Sequence, residues 1–599
     1  MTNKRRNSTQ QPSLPGLFAP IAKSRRLATP SEQALDVARV RIVAAIIIFA
    51  LAYLVIAGRL ADLTLMNDNN SDALLARPAG NDSVASRADI IDRNGTVLAT
   101  SLPTISLCAD ARNILNADEA EQKLLNVLPD LDVKRLHDDL HGAKHCAIIK
   151  RHLTPKQYYA VNALGIAGLE FRPDERRIYP AGNITSHVIG FTDIDNNGLA
   201  GMEKELDARL EENQEPVTLA LDLRLQTILH NELSATIDEF HALGAAGLVM
   251  DISTGEILAM VSLPDFDPQH PGDGDDEAMF NRDTLGVYEM GSTFKIFNTA
   301  MVLDSGVVRV SDQFDTVHPI EIGSQTIRDF EAEKRWLNVA EIFTHSSNIG
   351  SAHMAERIGG ARQRAFLSRL GLTEKAPIEL PEVGQPLVPA AKNWYDATTM
   401  TVSFGHGMAV SPVQLASAVA TIVNDGVTVR PTLFLHADKS TNTEHIISPH
   451  TAAVMRGLMR LVVTRGTAKG ADVEGYMMGG KTGTADKIAH GHYDPHARLS
   501  SFVGVFPLNA PRYLVFAMVD DPKGNAKTKG YATGGWVAAP AVSRVVSQIG
   551  PMLNVPPLEP SMEAIAEHQV LKPLGTEVLD GIQIDEGSNY ASVESDSVQ

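Results

Sequence analysis

The spacing of apolar residues changes several times along the chain, and each change marks a boundary. Residues 42–58, IVAAIIIFALAYLVIAG, are apolar without a charge. As a helix this run covers roughly 25 Å, close to a hydrocarbon core of about 30 Å. Arg41 and Arg59 flank it and can extend to the two interfaces. The pattern predicts one membrane-spanning helix over 41–62. A cleaved signal core is shorter and ends in a small-residue site, which does not follow cleanly here.

Residues 63–215 alternate short strand-like runs with polar turns. SRADIIDRNGTVLATS (86–101) reads as strand, Asn-Gly turn, strand, and 176–206 is dense in turn residues, Asn197-Gly198 among them. These features predict a β-rich spacer domain.

A second unit opens at 216. VTLALD (217–222) is strand-like, and Asp222 can cap a helix in which Leu225, Ile228, Leu229, Leu233, Ile237 and Phe240 recur at steps of three and four. Residues 246–262 read as two apolar strands around a turn at Asp251–Gly255. Helical patterns follow to about residue 425, and strands return at 501–507 and 513–520. Strands, a helical insertion and strands again predict an α+β domain over 216–553, with a sheet and a helical lobe.

Charge adds topology. The 599 residues carry a formal net charge of −19, which disfavours general nucleic-acid binding. Yet residues 1–40 are basic and proline-interrupted, as expected of a disordered cytoplasmic tail. The remainder is then exported, with the chain crossing the inner membrane once. Residues 554–599 read as an acidic, disordered tail. Cys108 and Cys146 fall in the exported part, where a disulfide is permitted; two buried thiols are the preferred reading.

The candidate chemistry begins at YEMGSTFKIF (288–297). Ser292 and Lys295, at i and i+3, share a helix face. Gly291 suits the helix start, and apolar neighbours disfavour an ammonium, lowering the lysine pKa. A neutral amine beside a hydroxyl is a general base for a serine nucleophile. Alone, the pattern also describes a helix with a snorkelling lysine. THSSNIG (344–350) adds Ser346 and Asn348, a proton relay and a peptide-binding amide in one reading and a helix cap in the other. GGKTGTA (479–485) adds Lys481, Thr482, Gly483 and Thr484, placed to meet a carboxylate and a peptide along a strand edge. Three histidines in HGHYDPH, His490, His492 and His496, are read as unmetallated.

S-x-x-K, S-x-N and K-T-G in this order resemble the penicillin-binding proteins, and the chain is similar to their class B, septal cell-division branch. RADIIDRNGTVLA (87–99, with Ala88 where glycine is usual), RIYPAGNITSHVIGF (177–191) with Gly198, Gly201 and Glu203, SFGHGMAVSPVQLA (403–416) and RGTAKGA (465–471) extend the likeness. The resemblance implies a serine β-lactamase-like transpeptidase domain behind a pedestal, or dimerisation-like, domain. It implies a D,D-transpeptidase acting on stem peptides ending in D-Ala-D-Ala, acylated by β-lactams, with no cofactor and no metal. Ser292 would be the nucleophile, Lys295 its base, and Ser346 and Lys481 the route of a proton to the leaving amine. Asn348, Thr482, Gly483 and Thr484 would bind substrate, and backbone N–H groups of Ser292 and Thr484 would form the oxyanion hole. A membrane glycan polymerase and other divisome proteins are the implied partners. A carboxypeptidase or β-lactamase with water as acceptor, and a non-catalytic scaffold or β-lactam sensor, are the competing readings.

Overall fold

Strands covered on both faces lose the alternation of apolar and polar residues, and the second unit contains three of this kind. Gly244–Asp251, Ile257–Leu263 and Tyr513–Asp520 are buried at every position in the computed structural model. They form an antiparallel sheet with Gly479–Ala489 and His492–Phe506, in the order 479–489, 492–506, 513–520, 244–251, 257–263. Helices Leu223–Phe240 and Ala538–Met552 pack on the sheet and on each other. A second group, Lys295–Asp304, Pro412–Val423 and Pro449–Thr464, packs together and meets the sheet separately. Asp222 caps the first helix as expected, accepting from the Arg224 amide at 3.0 Å.

The structure describes residues 87–581, apart from 213–214, 324, 436–443 and 490–491, and a few positions between 43 and 54. The apolar run at 42–58 lies largely outside the described residues, and among those described no helix is long and apolar enough to cross a membrane. Residues 1–40 also lie outside, as do His490 and the side chains of His492 and His496.

In the first unit the long strand Val97–Ala109 pairs with Leu169–Ile178 and Ala147–Leu153. Helices Ala117–Val127, Val133–His141 and Pro155–Asn162 complete a separate small core around Leu107, Leu124, Leu136 and Leu140. At the other end of this unit Glu203 is fully buried between two arginines, 2.7 Å from Arg87 Nε and 2.7 Å from Arg177 Nε. The expected division at 215/216 is bridged: Val217–Thr218 runs parallel to Ile90–Ile91, and one hydrophobic core continues from Ile90 and Leu98 to Leu225 and Leu229.

Two expectations are corrected. Cys108 and Cys146 are joined in a disulfide rather than left as buried thiols, with Cα atoms 5.4 Å apart. The antiparallel register that pairs Cys108 with Ile148 brings Cys146 within bridging range. Nor is the chain disordered from 554, because Pro560–Leu571 and Thr576–Gly581 are helices. Two of their acids, Glu563 and Glu567, partner a buried cation instead of facing water. Arg460 lies on the helix Pro449–Thr464, with Nε 3.2 Å from Glu567 and Nη1 2.7 Å from Asp472. Leu571, Leu574 and Val578 are buried alongside.

Candidate active site

Ser292 lies in a single 3₁₀ turn, Gly291–Phe294, which leads into the helix Lys295–Asp304. Gly291 starts that turn at φ +52°, in the left-handed region, and a Cβ there would sit 2.5 Å from the Thr484 carbonyl oxygen. Glycine at 291 therefore lets the nucleophile's turn rest against the strand 479–489. Met290, Phe294 and Phe297 are buried around it.

Lys295 is 1% exposed and Lys481 fully buried. Lys295 Nζ stands 2.9 Å from Ser292 Oγ, 2.6 Å from the Ser346 carbonyl oxygen, 2.7 Å from Asn348 Oδ1 and 3.1 Å from Ser346 Oγ. Burial pushes the Lys295 pKa well below that of an ordinary lysine, and the nearby Lys481 pushes it further. A neutral amine has two N–H groups and one lone pair. The two carbonyl oxygens can only accept, so they take both N–H groups and leave the lone pair for a hydroxyl proton. That is the arrangement a general base requires, and the snorkelling alternative is excluded by the burial.

Ser346 lies between two amines, with Lys481 Nζ 3.0 Å from its Oγ. Burial brings Lys481 down to about 7. Ser346 has φ +62°, a conformation that costs a non-glycine residue about 1–3 kcal/mol. The next residues hold it there. Ser347 caps the helix Asn348–Ile358, accepting from Gly350 N at 3.0 Å. Asp329, which the sequence patterns did not single out, accepts from Ser347 Oγ at 2.7 Å, Asn348 N at 2.6 Å and Ile349 N at 3.0 Å. The helix cap, Ser347, and the hydroxyl between the two amines, Ser346, are therefore adjacent residues of one turn.

Thr482 and Thr484 alternate with Lys481 and Gly483 along the strand and line the cleft. Thr482 Oγ1 is 2.7 Å from Thr467 Oγ1, which adds a third hydroxyl from the 465–471 segment. Gly483 gives room: a Cβ there would lie 2.4 Å from Ser501 Oγ and 2.8 Å from the Met290 carbonyl oxygen. The cleft, about 310 Å³, takes in Ser292, Ser346, Asn348, Thr482 and Thr484, with Arg328, His406 and Trp536 on its walls. At its rim Glu289 accepts from Tyr493 OH at 3.0 Å and from Gly407 N at 2.8 Å. All eight expected site residues, Gly483 through its backbone, thus meet in one place. The arrangement offers a serine nucleophile, an uncharged base and a hydroxyl bridge to a second amine, beside hydroxyls suited to a carboxylate.

Comparison with known proteins agrees. Residues 245–547 match the penicillin binding protein transpeptidase domain, and residues 82–222 match the penicillin-binding protein dimerisation domain. A probable peptidoglycan D,D-transpeptidase FtsI of Caulobacter vibrioides is 42% identical over 484 residues, covering 78% of this chain and 82% of the relative. The peptidoglycan D,D-transpeptidase FtsI of Escherichia coli K12 is 28% identical over 506 residues, or 79% and 84% of the two chains. Among solved structures, penicillin binding protein 3 of Mycobacterium tuberculosis, complexed with aztreonam, superposes with a TM-score of 0.63 at 25% identity, over 80% of this chain and 98% of that one. With a three-part site of this geometry on a sheet of this topology, the chain belongs to the class B, FtsI-type penicillin-binding proteins.

Proposed function

We propose that this chain cross-links stem peptides of septal peptidoglycan as a serine D,D-transpeptidase, and that Ser292 carries the acyl group. The observation that carries this reading is the 2.9 Å approach of a buried amine, Lys295, whose N–H groups are occupied by carbonyl oxygens, to the Ser292 hydroxyl.

The serine oxygen attacks the carbonyl of the penultimate D-alanine, and its proton passes to Lys295. Backbone N–H groups of Ser292 and Thr484 receive the oxyanion, each such donor contributing about 3–4 kcal/mol to the barrier reduction. As the C–N bond breaks, the leaving D-alanine nitrogen takes a proton through Ser346, which Lys295 and Lys481 both touch. Asn348 holds the donor peptide, and Thr482 and Thr484 hold its terminal carboxylate. An amine from a neighbouring stem then attacks the ester carbonyl, gives its proton back through the same groups, and releases Ser292. β-Lactams enter by the first half of this sequence and stop there. No step calls for a metal or cofactor.

We assign 41–62 to a membrane anchor with a cytoplasmic N-terminus, on its uncharged length and basic leader. The spacer domain over 63–215 and the catalytic domain over 216–553 then lie outside the inner membrane, at the septum. A membrane glycan polymerase and other divisome proteins are the partners this placement favours.

The test is intact-protein mass spectrometry after penicillin treatment, with the modified residue mapped. One adduct on Ser292, absent from Ser292→Ala, is expected; an adduct elsewhere, or none, sinks the reading. An adduct that clears within seconds would instead identify a hydrolase with water as acceptor.

A further inference from the structure

Far from the cleft, two helices of the first unit bring four metal-type ligands together. Asp118 and Glu121 lie three apart on Ala117–Val127, and His137 and His141 lie four apart on Val133–His141, so each pair shares a helix face. One ligand atom from each residue falls within 4.8 Å of all the others. His137 Nδ1 is 2.9 Å from Glu121 Oε2, and His141 Nε2 is 3.1 Å from Asp118 Oδ1. Four ligands around a tetrahedral zinc, bound at about 2.0–2.2 Å, stand roughly 3.4 Å from one another.

The hydrogen bonds themselves point to a cation. His141 Nδ1 donates to the His137 carbonyl oxygen at 3.0 Å, which leaves a lone pair on Nε2 in the neutral ring. That lone pair faces a carboxylate oxygen, so two acceptors meet at hydrogen-bond distance. Either a proton or a metal ion must lie between them. The two rings stack with centroids 4.0 Å apart, which holds them side by side. A divalent ion satisfies both histidines and both carboxylates at once. The Nδ1 bond to a backbone carbonyl is also how metal-binding histidines are held in the correct tautomer.

We propose that Asp118, Glu121, His137 and His141 form a surface site for a divalent transition metal of the zinc class, clamping these two helices. Its occupation is separate from the chemistry at Ser292.

Tag-free full-length protein in detergent, stripped with chelator, is titrated with zinc chloride alone. The bound metal is counted, and the thermal unfolding of the chain is followed. The double variant His137→Asn/His141→Asn should bind one zinc fewer per chain and lose the zinc-dependent rise in melting temperature. His492→Asn should leave both unchanged at this site. Asp118→Asn/Glu121→Gln keeps both rings and decides the matter if the first variant misfolds. It should weaken binding by more than about tenfold, the loss that even an outer-shell partner can cause. Cobalt(II) at the same site should give the intense visible bands of a tetrahedral complex. Equal zinc stoichiometry in the wild-type chain and both variants, or no zinc bound by the wild-type chain, would overturn the proposal.

Discussion

The Ser346 hydroxyl oxygen lies 3.0 Å from Lys481 Nζ and 3.1 Å from Lys295 Nζ, so one hydroxyl bridges two buried amines. The hydrogen-bond partners of both amines are hydroxyl, amide and backbone oxygens. Without a carboxylate in contact, a charge on either is poorly compensated, and the pKa of each is lowered.

The pH dependence of acylation follows from this. An ordinary lysine titrates near 10.5, and Lys295 lies well below that. The rate of β-lactam acylation should therefore level off well below pH 10.5 rather than climb all the way to it. Stopped-flow acylation up to that pH checks it. A profile still climbing there would mean that Lys295 keeps its proton at neutrality.

Lys481 should trade stability for function. Its folded pKa of about 7 is depressed from 10.5, so below pH 7 both folded and unfolded states are protonated and the burial penalty is fully present. Above 7 the folded state loses its proton first, and the penalty fades as the pH approaches 10.5. Lys481→Met should melt higher than the parent at pH 6, with the gap narrowing at pH 9. Acylation should fall by about 10²-fold or more. A lower melting temperature at pH 6 would contradict the assignment.

Asp329 should act as a positioning residue. Asp329→Asn keeps the shape but weakens three contacts to Ser347, Asn348 and Ile349. A stability loss of about 1–3 kcal/mol is expected, with slower acylation as Ser346 and Asn348 drift from Lys295. Unchanged acylation kinetics in a destabilised protein would reduce Asp329 to a structural cap.

Gly291→Ala should separate the serine from the strand. The new methyl would lie 2.5 Å from the Thr484 carbonyl oxygen, and Gly405 already presses its own backbone on Gly291. The nucleophile's turn must shift, and a misplacement of about 1 Å can cost 10²-fold in rate. Circular dichroism should stay close to the parent while penicillin labelling slows by about that factor.

Removing the Cys108–Cys146 bridge, which spans 38 residues, should destabilise the first unit by about 3–4 kcal/mol. Hydrogen exchange should report the loss in the helices 117–141, with the strands 479–520 protected as before.

Much of the site was legible because its chemistry needs fixed residue types at short spacing. Ser292 with Lys295, Ser346 with Asn348, and the Lys481–Thr484 run each fit within one turn or strand. Strands 244–263 and 513–520 were legible for a related reason, since full burial writes itself as uninterrupted apolar residues. Asp329 was not, being one of three closely spaced acids, 18 residues before the serine it holds. The bridging of Cys108 to Cys146 depended on a strand register that no local pattern encodes. The helix 560–571 was missed because its acids resemble solvated surface until Arg460 is placed beneath them.

That last contact has a consequence for the order of assembly. Arg460 also donates to the Met478 carbonyl oxygen at 2.8 Å, the residue just before the strand that bears Lys481. A chain emerging N-terminus first presents this guanidinium well before Glu567, some hundred residues later. Until that carboxylate arrives the root of the 479–489 strand is only partly braced. The strand that bears Lys481 is therefore braced at its root by a helix that contributes no atom to the reaction.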